Sequence, residues 1–244
     1  MKLKILRCLI FLCFLLSMII VCILVKKKII ILNKVFINKN SIIGVDISHH
    51  QGIVNMKKLK DQNISFIYLK ATEGSSLTDN KFNENWHNAK QNNILVGAYH
   101  FFSYDSKGET QALNYINTVG DLYGSLIPVV DVEYYGNKHK NPPKKEDVVR
   151  ELNAFLSILE ERYKVKPMIY SREGIYNKYI KGEFDDYKKW ISAIYFPLEL
   201  SYKEDWYLWQ YTDKGLLDGY NGREKYIDLN VLNKNKDINE LIIK

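Results

Sequence analysis

From Ile42 onward, short apolar segments rich in β-branched and aromatic residues alternate with segments whose apolar residues recur at helical spacing. Strands are predicted at 42–46, 66–70, 95–102, 127–133, 167–171, 189–192, 206–211 and 226–230, and helices at 81–91, 109–118 and 144–163. A doubly wound sheet often has a glycine-rich phosphate turn after its first strand, and this sequence has none there. About five strand–helix units followed by three strands therefore predict a single parallel α/β barrel.

The N-terminal segment is the second constraint, because residues 8–25 carry no charge and consist mainly of Leu, Ile, Phe and Val. This is about the shortest helix that crosses a hydrocarbon core of about 30 Å. We expect a membrane anchor or uncleaved signal with basic flanks over 1–28, a tether over 29–41 and a barrel over 42–244. A cleaved signal peptide is the alternative, although no small-residue cleavage site follows, and a lipoprotein signal at Cys22 is a third interpretation.

The three cysteines, Cys8, Cys13 and Cys22, all lie in this apolar segment. The rest of the chain therefore has no disulfide, no thiolate metal site and no cysteine nucleophile.

The basic charge of the chain is confined to its N-terminal part. Residues 1–45 hold eight basic residues and no acidic one, whereas the whole chain has 35 basic and 28 acidic residues. The remainder is nearly neutral, with no concentration of positive charge for a polyanion. Nucleic acid is therefore not an expected partner.

Four acidic residues lie at the ends of predicted strands: Asp46, Asp131, Glu133 and Asp228. In a parallel barrel the carboxyl ends of all strands meet at one face. Asp131 and Glu133, two residues apart, share one side of a strand and lie about 6.6 Å apart. Two close carboxylates in a partly dry pocket can supply one general acid and one anion. The alternative, two solvated acids in a loop, is disfavoured by the apolar run before Asp131.

Several sequence blocks then occur in a fixed order. They are GVDISHHQG (44–52), YLKATEG (68–74), Asp79 with Phe82 and Asn85, VGAYHFF (96–102), DVE (131–133), IYS (169–171), WQYT (209–212) and IDLN (227–230). Over about residues 42–233 this series resembles the glycoside hydrolase family 25 lysozymes, the Chalaropsis-type N-acetylmuramidases. One block, WISAIY (190–195), departs from the family pattern, which leaves the position of Tyr195 relative to the pocket open.

The resemblance implies a flattened, irregular TIM-like β/α barrel that cleaves the β-1,4 bond between N-acetylmuramic acid and N-acetylglucosamine in peptidoglycan. It implies that Glu133 is the general acid. Asp131 is then the partner carboxylate, which stabilises an oxocarbenium-like transition state or orients the substrate's 2-acetamido group. Asp46 and Asp228 would complete the acidic floor, binding sugar hydroxyls or tuning Glu133. No cofactor and no metal ion are expected.

Aromatic side chains near the strand ends are expected to form the sugar platform, because ring faces stack on sugars. The expected substrate-binding residues, besides Asp46 and Asp228, are Tyr68, Tyr99, Phe101, Tyr170, Trp190, Trp209, Tyr211 and Gln210. For each ring a place in the core is the alternative. Tyr170 and Trp209 are the strongest candidates by family position.

The expected partners are peptidoglycan glycan strands and, through the N-terminal helix, the membrane. Since peptidoglycan lies outside the cytoplasmic membrane, we expect a monomeric single-pass protein with its N-terminus inside and its barrel outside, on a tether of at most about 50 Å. Cleavage of the signal would make it a secreted protein. One rival hypothesis is a non-catalytic, membrane-tethered peptidoglycan-binding module. Another is a metal-dependent hydrolase that uses the aspartates with His49 and His50, but the side chains of adjacent residues on a strand point apart, which disfavours a shared metal ion.

Overall fold

The computed structural model describes residues 2–198 and 205–244. Its helices are α1 (Lys2–Lys26), α2 (Met56–Asp61), α3 (Phe82–Gln91), α4 (Gly108–Val119), α5 (Lys145–Tyr163) and α6 (Glu173–Ile175), which a π-helical turn extends over Tyr176–Ile180. Its strands are β1 (Ile43–Ile47), β2 (Ile64–Glu73), β3 (Leu77–Thr78), β4 (Leu95–Phe101), β5 (Val129–Val132), β6 (Met168–Arg172), β7 (Lys188–Ser192), β8 (Leu208–Gly215) and β9 (Ile227–Leu232). Short 3-10 helices lie at Leu32–Phe36, His49–Gln51 and Ile238–Leu241.

In the described part of the chain, eight strands close into a barrel in the order β1-β9-β8-β7-β6-β5-β4-β2, and β1 pairs with β2 to complete the ring. β3 pairs only with the end of β2. Each of β1, β2, β4, β5 and β6 is followed by a helix before the next strand of the barrel. The predicted α/β barrel, including this order of elements, is confirmed, and α3, α4 and α5 begin and end within one residue of their predicted bounds.

The prediction of an all-parallel barrel was wrong for β9, which runs antiparallel to both β8 and β1. Residues 216–226 contain no helix, and a parallel partner would need a crossover connection of a dozen or more residues. The reversal places the start of β9 at the carboxyl end of β1, where Asp228 is paired with Asp46. Asp228 therefore reaches the predicted face from the beginning of its strand and not from its end.

Alternation along the strands separates two apolar layers. Phe66, Tyr68 and Met168 point into the barrel, whereas the buried face of α5 packs against the outer side of the sheet. Gly97 faces inward beside Tyr68, and a Cβ at this glycine would lie 2.3 Å from the tyrosine ring. The glycine is thus required for the barrel to hold its large central aromatic residues.

The first part of the segment predicted to be a tether, residues 29–41, lies against the barrel. Asn33 is fully buried, and its Nδ2 donates to the carbonyl oxygens of Ala193 (2.8 Å) and Tyr211 (2.9 Å). Lys28 forms an ion pair with Asp213 near the end of β8. β8 has no helix directly after it, and residues 28–37 cover part of the surface that is left open.

Helix α1 has the length and composition of a membrane span. Its mean hydropathy reaches 3.3 over Lys4–Lys26, and its apolar side chains are not buried within the protein. A signal sequence near an N-terminus has the same properties. The helix is therefore a candidate span.

Candidate active site

A cavity of about 210 Å³ opens at the carboxyl end of the parallel strands. Its lining residues are Asp46, Ser48, His50, Lys70, Tyr99, Phe101, Val129, Asp131, Glu133, Tyr170, Trp190 and Asp228. All four predicted acidic residues are among them. The inward-facing positions of seven strands thus converge as the sequence predicts.

Asp131, on β5, is more enclosed than Glu133 and has 8% of its surface exposed. Its Oδ1 has no hydrogen-bond partner among the described residues. Burial, followed by the negative charges of Glu133 and Asp46, raises the pKa of Asp131 well above its usual range. In the free protein this carboxyl group therefore keeps its proton more strongly than an exposed aspartate.

Glu133 lies one residue beyond β5 and is the more accessible of the two, with 23% of its side chain exposed. Its Oε1 accepts a hydrogen bond of 2.8 Å from Nε of Arg172. Arg172 was not predicted as a site residue, because the register of β6 against β5 was not assigned from the sequence. Arg172 follows Tyr170 by two residues on β6, and Tyr170 is in register with Asp131, so the next inward position on β6 lies beside Glu133.

Asp46 and Asp228 form a second pair of acids across the β1–β9 ladder. Nε2 of Gln210 donates to both, at 3.1 and 3.2 Å, and Nδ2 of Asn230 donates to Asp46 at 2.8 Å. Burial, then the charges of Asp46 and of nearby Asp213, raise the pKa of Asp228 well above its usual value. Burial also raises the pKa of Asp46, against the opposing effect of its amide donors. Each of the two carboxyl groups therefore holds its proton more strongly than an exposed aspartate does.

Two buried amides orient these acids. Oε1 of Gln210 accepts hydrogen bonds from the Tyr170 hydroxyl (3.0 Å) and the Ser192 hydroxyl (2.7 Å), so its Nε2 must point toward the aspartates. Oδ1 of Asn230 accepts from Nε1 of Trp190 (3.0 Å), which orients the second amide in the same way. Gln210 was predicted from the sequence. Asn230, in the IDLN block, was not identified as a site residue.

The comparison with known proteins identifies the family of this chain. The model of "Glycosyl hydrolases family 25" matches residues 45–220. The chain belongs to glycosyl hydrolase family 25. It is therefore an enzyme of the glycoside hydrolase class, of the lysozyme type.

Solved structures and a characterised relative agree with this family. The chain resembles a family 25 glycosyl hydrolase from Bacillus anthracis, with TM-score 0.78 and 44% identity over 85% of this chain and 96% of that one. A bacterial lysozyme from Streptomyces coelicolor gives TM-score 0.70 and 26% identity, over 84% and 96% of the two chains. Lysozyme M1 of Streptomyces globisporus is 27% identical over 73% of this chain and 64% of its own length.

Four of the aromatic residues predicted for the site line the cavity of the family 25 domain: Tyr99, Phe101, Tyr170 and Trp190. Nζ of Lys70 lies 4.8 Å from the centre of the Phe101 ring. Tyr68 lies deeper, is fully buried, packs against Trp190 at 5.2 Å and donates from its hydroxyl to the Ile127 carbonyl. Tyr68 therefore supports the pocket from below and does not line it.

Trp209 and Tyr211 lie outside the cavity of the family 25 domain, contrary to the prediction. Nε1 of Trp209 donates to the Ala193 carbonyl, and its ring packs against those of Trp206 and Tyr211. The physical reason is strand alternation, since Gln210 points inward and its two neighbours must point outward. Tyr195, left open by the sequence, is 43% exposed beside Lys28.

The two adjacent histidines have separate surroundings. Nδ1 of His49 lies 2.8 Å from Oδ2 of Asp79, whereas His50 lines the cavity. Across residues 2–198 and 205–244, no three side chains of His, Cys, Asp or Glu are grouped so as to hold a metal ion. The first histidine is thus engaged away from Asp46.

Proposed function

We propose that this protein is a peptidoglycan hydrolase that cleaves the β-1,4 bond between N-acetylmuramic acid and N-acetylglucosamine, with Glu133 as the general acid. The observation that carries the proposal is the position of Glu133 at the accessible edge of an otherwise enclosed acidic pocket, beside buried Asp131. The membership in family 25 and the similarity to lysozymes support the same substrate.

Nε of Arg172 engages only Oε1 of Glu133, so the second carboxyl oxygen, Oε2, can carry the proton that is donated. The Arg172 side chain is more than half exposed and can turn toward solvent when a glycan enters. A proton on Oε2 can then pass from Glu133 to the leaving oxygen of the glycosidic bond.

Asp131 is placed to act on the sugar that carries the developing positive charge. Its unpartnered Oδ1 can accept a hydrogen bond from the N–H of the 2-acetamido group, which orients that group toward the anomeric carbon. When ionised, the same carboxylate stabilises an oxocarbenium-like transition state. The unpartnered Oδ1 favours the role of orienting the 2-acetamido group. A buried acceptor without a donor costs free energy in the free protein, and Oδ1 gains a donor when the substrate binds.

Glycan rings are proposed to stack on the aromatic residues that line the cavity, in particular Trp190 and Tyr170. Nε1 of Trp190 is engaged by Asn230 and the Tyr170 hydroxyl by Gln210, so both rings are held in place before substrate arrives. Such preorganisation reduces the entropy lost on binding. Asp46 and Asp228 would bind sugar hydroxyls or tune Glu133 by their charge.

We further propose that α1 is a single-pass anchor with its N-terminus inside and the barrel outside, as a monomer. The location of peptidoglycan supports this orientation, and long domains cross the membrane largely regardless of charge. Protease added to wall-stripped cells should remove the barrel and leave a small membrane-bound fragment. Secretion after signal cleavage would instead leave no membrane-bound fragment.

The deciding experiment for the activity is mass spectrometry of the products from a purified glycan of known sequence. Muramic acid at every new reducing end is the expected result, and glucosamine there would contradict the proposal. A non-catalytic binding module would give no products at all while still sedimenting with cell walls. Activity that EDTA abolishes would favour the metal-dependent alternative over a carboxylate mechanism.

A further inference from the structure

A second cavity, of about 820 Å³, lies between the segment after α1 and the outer side of the β8–β9 hairpin. Four lysines line it, namely Lys27, Lys28, Lys34 and Lys214, and no acidic residue is among its described lining residues. Lys28 is paired with Asp213. The other three leave a concentration of positive charge on a barrel that is otherwise nearly neutral.

Exposed apolar side chains accompany these lysines. Ile29 is 65% exposed, Val35 is 82% exposed and Leu216 is 62% exposed. Large apolar side chains mixed with lysine are typical of protein surfaces that lie in the interfacial layer of a membrane. We call Lys27, Ile29, Lys34, Lys214 and Leu216 the juxtamembrane surface.

The connection to α1 fixes the distance of this surface from the helix. α1 ends at Lys26, and Lys28, with φ of +55°, turns the chain and pairs with Asp213. The buried amide of Asn33 holds the next part of the segment on β8. Two residues can separate the end of α1 from its first attachment on the barrel by at most about 7 Å.

We propose that the juxtamembrane surface docks the barrel directly on the membrane that α1 enters, with anionic phospholipid headgroups between Lys27, Lys34 and Lys214. Ile29 and Leu216 then enter the interfacial layer. The inference rests on the proposed insertion of α1 and adds a second, reversible contact to it. Each lysine near an anionic surface favours the docked state about fivefold.

Docking restricts which substrate the enzyme meets. Asp213, which holds Lys28, also lies near Asp228 and Arg172 and acts on both electrostatically. The attachment of the membrane-proximal segment is therefore close to the catalytic pocket. The docked enzyme would act on the glycan strands immediately next to the membrane and not on distant layers of the wall.

The test uses the full chain with its three cysteines replaced by alanine and a single new cysteine, Leu216→Cys, carrying an environment-sensitive fluorophore. The chain is inserted into nanodiscs whose lipids carry a spin-label quencher just below the headgroups. The matched control is Leu113→Cys on α4, which is 53% exposed and lies beside β4, across the barrel from β8. We expect strong quenching at position 216 and little at 113 in discs containing phosphatidylglycerol. Equal quenching at both positions, or none at either, would overturn docking.

Charge is tested with the triple variant Lys27→Gln, Lys34→Gln and Lys214→Gln and with discs of phosphatidylcholine alone. The ratio of docked to undocked protein should fall about a hundredfold in the variant, at about fivefold per lysine. Unchanged quenching in either case would refute the role of anionic headgroups. Cleavage of a soluble glycan fragment by the same samples is measured in parallel. If the chain that keeps its three lysines cleaves the fragment but does not dock, this inference is refuted and the proposed activity still stands.

Discussion

Replacing Glu133 by glutamine removes the proton donor while preserving the shape of the side chain. General acid catalysis is typically worth about 10²- to 10⁴-fold in rate, so turnover should fall by that factor. The fold should survive, because the charge partner lost is Arg172, whose side chain is more than half exposed. An ion pair of this kind contributes at most about 1 kcal/mol, which lowers the melting temperature of a domain of this size by about 2–4 °C.

Glu73→Gln is the matched control for this variant. Glu73 is also a partly exposed carboxylate at the end of a barrel strand, is paired with Lys70 at 2.6 Å and does not line the acidic cavity. We expect wild-type turnover from it. Activity is measured by loss of turbidity of purified cell walls and by product mass spectrometry, and binding by co-sedimentation with walls. Wild-type lysis by Glu133→Gln, or an equal loss in both variants, would refute the assignment of Glu133 as the acid.

Three further predictions follow from the geometry of the pocket. Asp131→Asn should strongly lower turnover. In the wild-type protein, the raised pKa of Asp131 stabilises the fold at low pH, and this contribution is lost as pH rises above about 4. In thermal melts between pH 4 and 7, the variant should therefore lose less stability than the wild type. Gln210→Leu removes the hydrogen-bond donor to Asp46 and Asp228, so kcat should fall and the pH profile of kcat should shift. An unchanged pH profile would contradict a positioning role for Gln210. Trp190→Phe should weaken glycan binding, which is measured as a higher KM. Trp209→Phe should change thermal stability and leave KM unchanged. A higher KM for the Trp209 variant and an unchanged KM for the Trp190 variant would contradict the placement of the two rings.

The sequence by itself determined the order of strands and helices and the face where the acids meet. Helical periodicity and β-branched runs are local signals, and α5 is recognisable from its apolar spacing alone. The i, i+2 spacing of Asp131 and Glu133 placed both on one side of β5 without any tertiary information. The same rule, applied to Gln210 and Trp209, would have shown that adjacent residues cannot both face the pocket.

Only the tertiary structure decided the features that depend on pairing between distant segments. The direction of β9 is set by its two neighbours, and the pairing of Asp46 with Asp228 across the β1–β9 ladder follows from that reversal. The pairing of Arg172 with Glu133 depends on strand register, which was not assigned from the sequence. Asn33 lies in a segment with no strong periodicity, and its burial follows from a gap in the helical layer outside β8 that no local pattern reveals.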